Sequence, residues 1–335
     1  MRPLVPLPHP SPATAVTAPL PLPFRPLPTP ADKTANARPA CPRTAPAGST
    51  RFWVLSELCI DREPGVRLPD PLPDFDVLLV AGGITTGLDT ALRWLAAALD
   101  GRHGDRPVLM VAGCPELRSA APMVEALARG KDLARDLGIR LLSDEAVRIG
   151  PADGGGTIIL GSTLWTDWCL LGAFEGRLAR VSARHTWPDC AGTLLRNERP
   201  WSPLDALGVH ARSRAYIEDG LTSIVCQSLG LGKPATPLVT DVRPGDRAVV
   251  LTHFAPSRRS LPEDWPGWHE ASWVAPSHAS DLEDVMHAWG APALWVHGRA
   301  VAPVDYVVGR TRVVANPLRP WRQDLPTDPA LVIVA

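Results

Sequence analysis

The sequence is short of lysine: Lys33, Lys131 and Lys233 are the only three, so arginine supplies nearly all of the basic charge. It also lacks any C-x-x-C pair, because Cys41, Cys59, Cys114, Cys169, Cys190 and Cys226 lie far apart. That spacing excludes a zinc ribbon and a disulfide framework and points to a reducing, cytoplasmic setting. Charge of one sign is missing too, since 34 Lys and Arg stand against 35 Asp and Glu. No global field draws the chain toward nucleic acid or a membrane, and neither is expected as a partner. No apolar run approaches the roughly 20 residues that a spanning helix needs, and no internal repeat is evident.

What is present is proline, 38 residues in all, with about 14 of them in the first fifty (PLVPLPHPSP, PLPLPFRPLPTP). That density forbids helix and favours solvated polyproline II, so residues 1–49 read as a disordered leader. Prolines break every apolar run there, which excludes a secretory signal peptide. The plain reading is an unstructured extension or a start codon called too early, and the sharper one is a ligand for a proline-binding module. The remaining residues, in a chain of 335 that is 45% hydrophobic, suffice for one large core.

From Arg51 onward, short apolar runs alternate with helical stretches, the pattern of a layered α/β domain. Phe52–Leu55, Val77–Ala81, Val108–Ala112, Thr157–Leu160, Ala248–Thr252 and Ala293–Val296 read as buried strands. Leu88–Leu99, Pro122–Leu137 and Asp281–Trp289 have helical spacing. Pro203–Leu229 opens on Ser202, Pro203 and Asp205, an N-cap signature. Val304–Val308 and Thr311–Ala315 flank a Gly309-Arg310 turn and read as a hairpin.

In such sheets the chemistry sits just beyond the carboxyl ends of the strands. The segments there are Ser56-Glu57-Leu58-Cys59, Ala81-Gly82-Gly83-Ile84, Ala112-Gly113-Cys114-Pro115-Glu116, Thr252-His253-Phe254-Ala255-Pro256 and His297-Gly298-Arg299-Ala300-Val301. Their order and spacing resemble the D-x-H, G-D, G-N-H-[DE], late-strand histidine and G-H-x-H motifs of the calcineurin-like metallophosphoesterase family. Flanking text such as GSTLWTD, VLTHFAPS and LWVHGRA resembles a bacterial branch, and the likeness spans roughly residues 51–318.

The resemblance implies a four-layer α/β/β/α sandwich spanning residues 50–320, a helical insertion at 169–240 and a tail at 321–335. It also implies phosphoester hydrolysis by two divalent metals (Mn, Fe or Zn) about 3.5–4 Å apart, which clamp the attacking and leaving oxygens. Most of the positions it implies as ligands are replaced. Glu57 and Cys59 stand for the Asp and His of the first motif, and Gly83 for the bridging Asp. Cys114 stands for the Asn ligand and Pro115 for the proton-donating His. Arg299 and Val301 stand for the histidines of the last motif, while His253 is retained and Glu116 keeps the acidic position. His297 precedes the glycine and falls outside the implied ligand set.

The expectation is therefore a degenerate member with little or no two-metal catalysis and no catalytic residue assigned; the alternatives are a module that binds a phosphorylated ligand or a protein, and a hydrolase with a rebuilt single-zinc site. At most one zinc would be held by Glu57, Cys59, Cys114 and His253; the plainer reading makes the cysteines buried fillers and His253 a hydrogen-bonded relic. Arg299 either enters the vacated cation site, where its charge would compensate Glu57 and its neighbours, or simply turns out to solvent. Arg258, Arg259 and Arg299 are the candidate residues for a phosphorylated small molecule, against a plainer reading as solvated surface. Trp165, Asp167 and Trp168 line the pocket rim or pack under the insertion. His185, His210, His269, His278 and His287 read as surface or packing, and nothing in the sequence names a protein partner.

Overall fold

The computed structural model describes residues 49–62, 65–188, 192–195, 199–234 and 237–335. The leader expected at 1–49 lies, apart from Ser49, outside the described residues, as do Cys41 and Cys190. Strands β1 (Arg51–Leu55), β2 (Val77–Val80), β3 (Val108–Val111) and β4 (Ile139–Leu142) form a parallel sheet. In the second sheet β6 (Thr157–Ser162), β7 (Arg247–Thr252), β8 (Leu294–His297) and β10 (Thr311–Ala315) run parallel. β5 (Glu145–Ile149) and β9 (Val304–Val308) edge it antiparallel, in the order β5-β6-β7-β8-β10-β9.

The central strands read as continuous apolar runs because both of their faces are covered. Phe52, Val54, Leu79 and Val111 point between the sheets and meet Ile159, Val249, Leu251 and Val296. Their alternates Trp53, Leu55, Val80 and Met110 point outward into a second buried layer. Helices α1 (Leu88–Leu99) and α2 (Met123–Asp136) cover the first sheet, and α4 (Pro203–Ser228) covers the second. The result is the expected four-layer sandwich.

The insertion carries α3 (Ala173–Ala183) and α4. Ser202 caps α4 in a reciprocal capping box, its side chain accepting from the Asp205 amide while the Asp205 carboxylate accepts from the Ser202 amide. Ser202→Ala is expected to cost about 1 kcal/mol, read as a lower urea midpoint at unchanged slope. Trp165 and Trp168 are buried and pack against Trp187 under the insertion, with Trp201 also stacked on Trp165 at 4.6 Å. His210 is buried there as well, while His185, His269 and His287 are exposed.

Strands β4 and β5 lie outside the expected elements, and two expected stretches take another form. The helix expected over 281–289 is confined to α6 (Glu283–His287), because Leu282 offers no side-chain cap and Ala288 turns extended. In the segment expected as a tail, Val332–Val334 forms β11, which pairs antiparallel with β1 and edges the first sheet. No helix among the described residues is long and apolar enough to cross a membrane.

Candidate functional site

The loops leaving β1, β2, β3, β7 and β8 converge at the carboxyl edge of the sheets. The first two are laced by backbone bonds, with the Glu57 and Cys59 amides donating to the Gly82 and Gly83 carbonyls at 3.1 and 3.0 Å. Strain concentrates here. Of eight described non-glycine residues with positive φ, Glu57, Cys59, Leu164, Trp165, Trp168 and Arg299 sit in the loops after β1, β6 and β8. Such conformations persist only where the surroundings over-determine them.

His253 is held from every side. Its Nδ1–H donates to the Ala81 carbonyl at 2.8 Å, which leaves Nε2 facing Cys114 Sγ at 3.5 Å. A Cβ on Gly82, Gly113 or Gly298 would come within 3 Å of the imidazole ring, so three glycines cage it. Glu57 Oε1 lies 3.7 Å from Nδ1.

Glu57 fills an empty place. A Cβ built on Gly83 would lie 2.5 Å from its Oε1 and 2.7 Å from its Cδ, so the carboxylate occupies the space of a side chain at position 83. Burial pushes its pKa up to about 7, with the Glu116 charge adding to the rise; the Arg299 amide, donating to Oε1 at 2.7 Å, and the Arg299 charge oppose it. The folded state thus holds this proton more tightly than the unfolded chain does. That stability is complete below about 4.5 and lost as pH rises through about 7. Wild type is therefore expected to lose stability relative to Glu57→Gln, which keeps an acceptor for the Arg299 amide, as pH rises across that window in urea titrations. A constant difference would mean that Glu57 titrates as an exposed carboxylate.

Arg299 enters the site. It meets Glu57 through its backbone amide. Its guanidinium instead donates from Nε to the Ser277 carbonyl at 2.6 Å and from Nη1 to Cys114 Sγ, and stacks 4.8 Å from the Phe254 ring centroid. Its charge reaches Glu57 through space.

Two groups were missed in the sequence reading as organisers of the site. The fully buried Glu116 accepts from the amides of Gly83, Ile84, Thr85 and Gly113, tying the β2 and β3 loops together. Buried His297 donates from Nδ1 to the Gly298 carbonyl and accepts from Ser260 Oγ at 2.9 Å, and Ser260 also bonds Tyr306. Burial drops its pKa to about 4, so it is neutral and structural. It anchors the 3-10 turn Arg258–Ser260, on which exposed Arg258 stacks over Trp268 and Arg259 over Tyr306.

The donors present do not fit a pair of divalent metals. The Arg299 guanidinium sits on Cys114, burial with the Glu57 charge pushes the Cys59 thiol up to about 12, and His253 has Nε2 alone to offer while Nδ1 donates to Ala81. Among the described residues no group of three or more His, Cys, Asp or Glu is arranged to hold a metal ion. His253 gathers Glu57 and Cys114, whereas Cys59 joins the cluster through its backbone.

No family model and no curated protein matches the chain in sequence. In structure it is similar to the phosphopantetheinyl hydrolase PptH from Mycobacterium tuberculosis, with a TM-score of 0.55 and 17% identity over 85% of this chain and 95% of that one. The fold is metallophosphoesterase-like. A putative 5'-nucleotidase from Staphylococcus aureus, solved with alpha-ketoglutarate, gives a TM-score of 0.37 and 10% identity over 80% of this chain and 48% of that one. On the metallophosphoesterase-like sandwich, the cluster around Glu57, Cys114, His253 and Arg299 lies where the strands of both sheets end.

Proposed function

We propose that this chain is a non-hydrolysing protein built on a metallophosphoesterase-like fold, and that it binds a phosphate-bearing small molecule through Arg258, Arg259 and Arg299. One observation carries the first half. The positions that resemble metal ligands are bonded to one another, with the Glu57 carboxylate in the space of the absent side chain at Gly83 and the Arg299 guanidinium on Cys114. Two dications placed there would have the Glu57 carboxylate alone between them and face a fixed positive charge.

Binding of a phosphate is supported by the arginines. Exposed Arg258 and Arg259 lie over the Trp268 and Tyr306 rings, which hold each guanidinium plane for contact with an anion, and Arg299, bonded to Ser277 and Cys114 and lying over Phe254, adds positive charge. The similar hydrolase is named for a phosphopantetheinyl group, and this reading carries a phosphate-bearing ligand over from that name.

The test is a thermal melt of the full chain with inorganic phosphate or a nucleoside monophosphate. A ligand that binds only the folded state raises the apparent stability with concentration. A rise in Tm that Arg258→Gln/Arg259→Gln reduces is expected, together with an unhydrolysed nucleotide. No rise at millimolar ligand would overturn the binding reading, and turnover that depends on added metal would overturn the non-hydrolysing one.

A further inference from the structure

Helix α3 wears its hydrophobic residues on the wrong side. Its inward face is small, Gly176, Ala179 and Ala183, all buried, and a Cβ on Gly176 would lie 3.0 Å from the Trp168 carbonyl, so the helix sits tight on the loop beneath. Its outward face carries Phe174, Leu178 and Val181, exposed by 66, 51 and 75%, with Leu171 just ahead of the helix. At 3.6 residues per turn these three side chains fall within an arc of about 60°, nearly opposite the alanines. Contiguous exposed apolar surface of this kind marks an interaction site.

Charge selects the partner. Arg177, Arg180 and Arg184 line one shoulder of the stripe, and Glu175 is the single acid within the helix. Arg177 and Arg184 are exposed, with no ion-pair partner among the described residues. The chain as a whole has a net charge of −1, so the positive face is local to this helix. A second copy packed antiparallel across a two-fold axis would set the arginine shoulder against its own image, which repels. A flat anionic surface satisfies the stripe and the shoulder together: the apolar side chains enter the headgroup boundary while the guanidiniums reach lipid phosphates.

We propose that the outer face of α3 docks this protein peripherally on an anionic lipid surface. No described helix can span a membrane, so the contact is reversible and sensitive to salt.

The experiment is sedimentation of the full chain with vesicles of phosphatidylcholine alone or mixed with phosphatidylglycerol. Binding to the mixed vesicles at least about tenfold stronger than to the neutral ones is expected, falling at high salt. Phe174→Ser/Val181→Ser is expected to abolish it, and Arg177→Gln/Arg184→Gln to remove the preference for anionic lipid. All four positions are solvent-facing, so unchanged melts confirm that the variants fold. Absence of binding at low salt, or binding equal in wild type and variants, would overturn the proposal. So would a concentration-dependent dimer dissociated by Phe174→Ser, which would assign the stripe to a second copy.

Discussion

Arg299→Ala is expected to lower stability by about 3 kcal/mol, the combined loss of charge-assisted hydrogen bonds and a cation–π contact. In a domain of this size that is a fall in Tm of roughly 5 °C. The side chain removed bonds the Ser277 carbonyl and Cys114 and covers Phe254, and its charge moderates that of half-buried Glu57. Alanine keeps the amide that Glu57 accepts from and inherits a φ of 43° already present, so neither contributes to the loss. Arg299→Lys is expected to fall between the two, since a single ammonium cannot serve a carbonyl, a sulfur and a ring face at once. A melt unchanged by Arg299→Ala would mean that the guanidinium is turned to solvent.

Gly83→Ala is expected to be as damaging for a different reason. Position 83 has a φ of 78°, which costs an L-residue about 1–2 kcal/mol. The new methyl would also collide with the Glu57 carboxylate, 2.5 Å away at its nearest oxygen, and push it off the Arg299 amide. A total near 3–4 kcal/mol follows from adding a typical overpacking penalty of about 1–3 kcal/mol. In a Glu57→Ala background the collision is gone and only the conformational cost remains. The double-mutant cycle is therefore expected to show a coupling of about 2 kcal/mol. Additive effects would show that the carboxylate does not occupy the space at Gly83.

The strands were legible because burial on both faces left uninterrupted apolar runs such as Val77–Val80 and Val108–Val111. β5 was not, since an edge strand with one solvated face spells Glu-Ala-Val-Arg-Ile. β11 has only three residues and takes its partner, β1, from the far end of the chain, a pairing that no local pattern carries. At the site, position was readable and direction was not. Arg at 299 suggested a charge compensating Glu57, which acts there through space, but not that the left-handed turn at that residue also delivers the amide to Glu57 and the guanidinium to Cys114. The sequence likewise marks Gly83 as a missing carboxylate without saying that the longer Glu57 side chain fills the gap. That follows only from the closeness of the β1 and β2 loops. Glu116 carried a signal, an acid kept while its neighbours changed, and its four amide donors give the reason.

The central claim is that a protein-only cluster replaces the two-metal centre. Elemental analysis of the purified full chain, paired with turnover of a chromogenic phosphodiester in added manganese or zinc, tests it most directly. The account predicts no stoichiometric metal and no metal-dependent turnover. Stoichiometric zinc that disappears in Cys59→Ser or Cys114→Ser, or turnover that follows added metal, would contradict it.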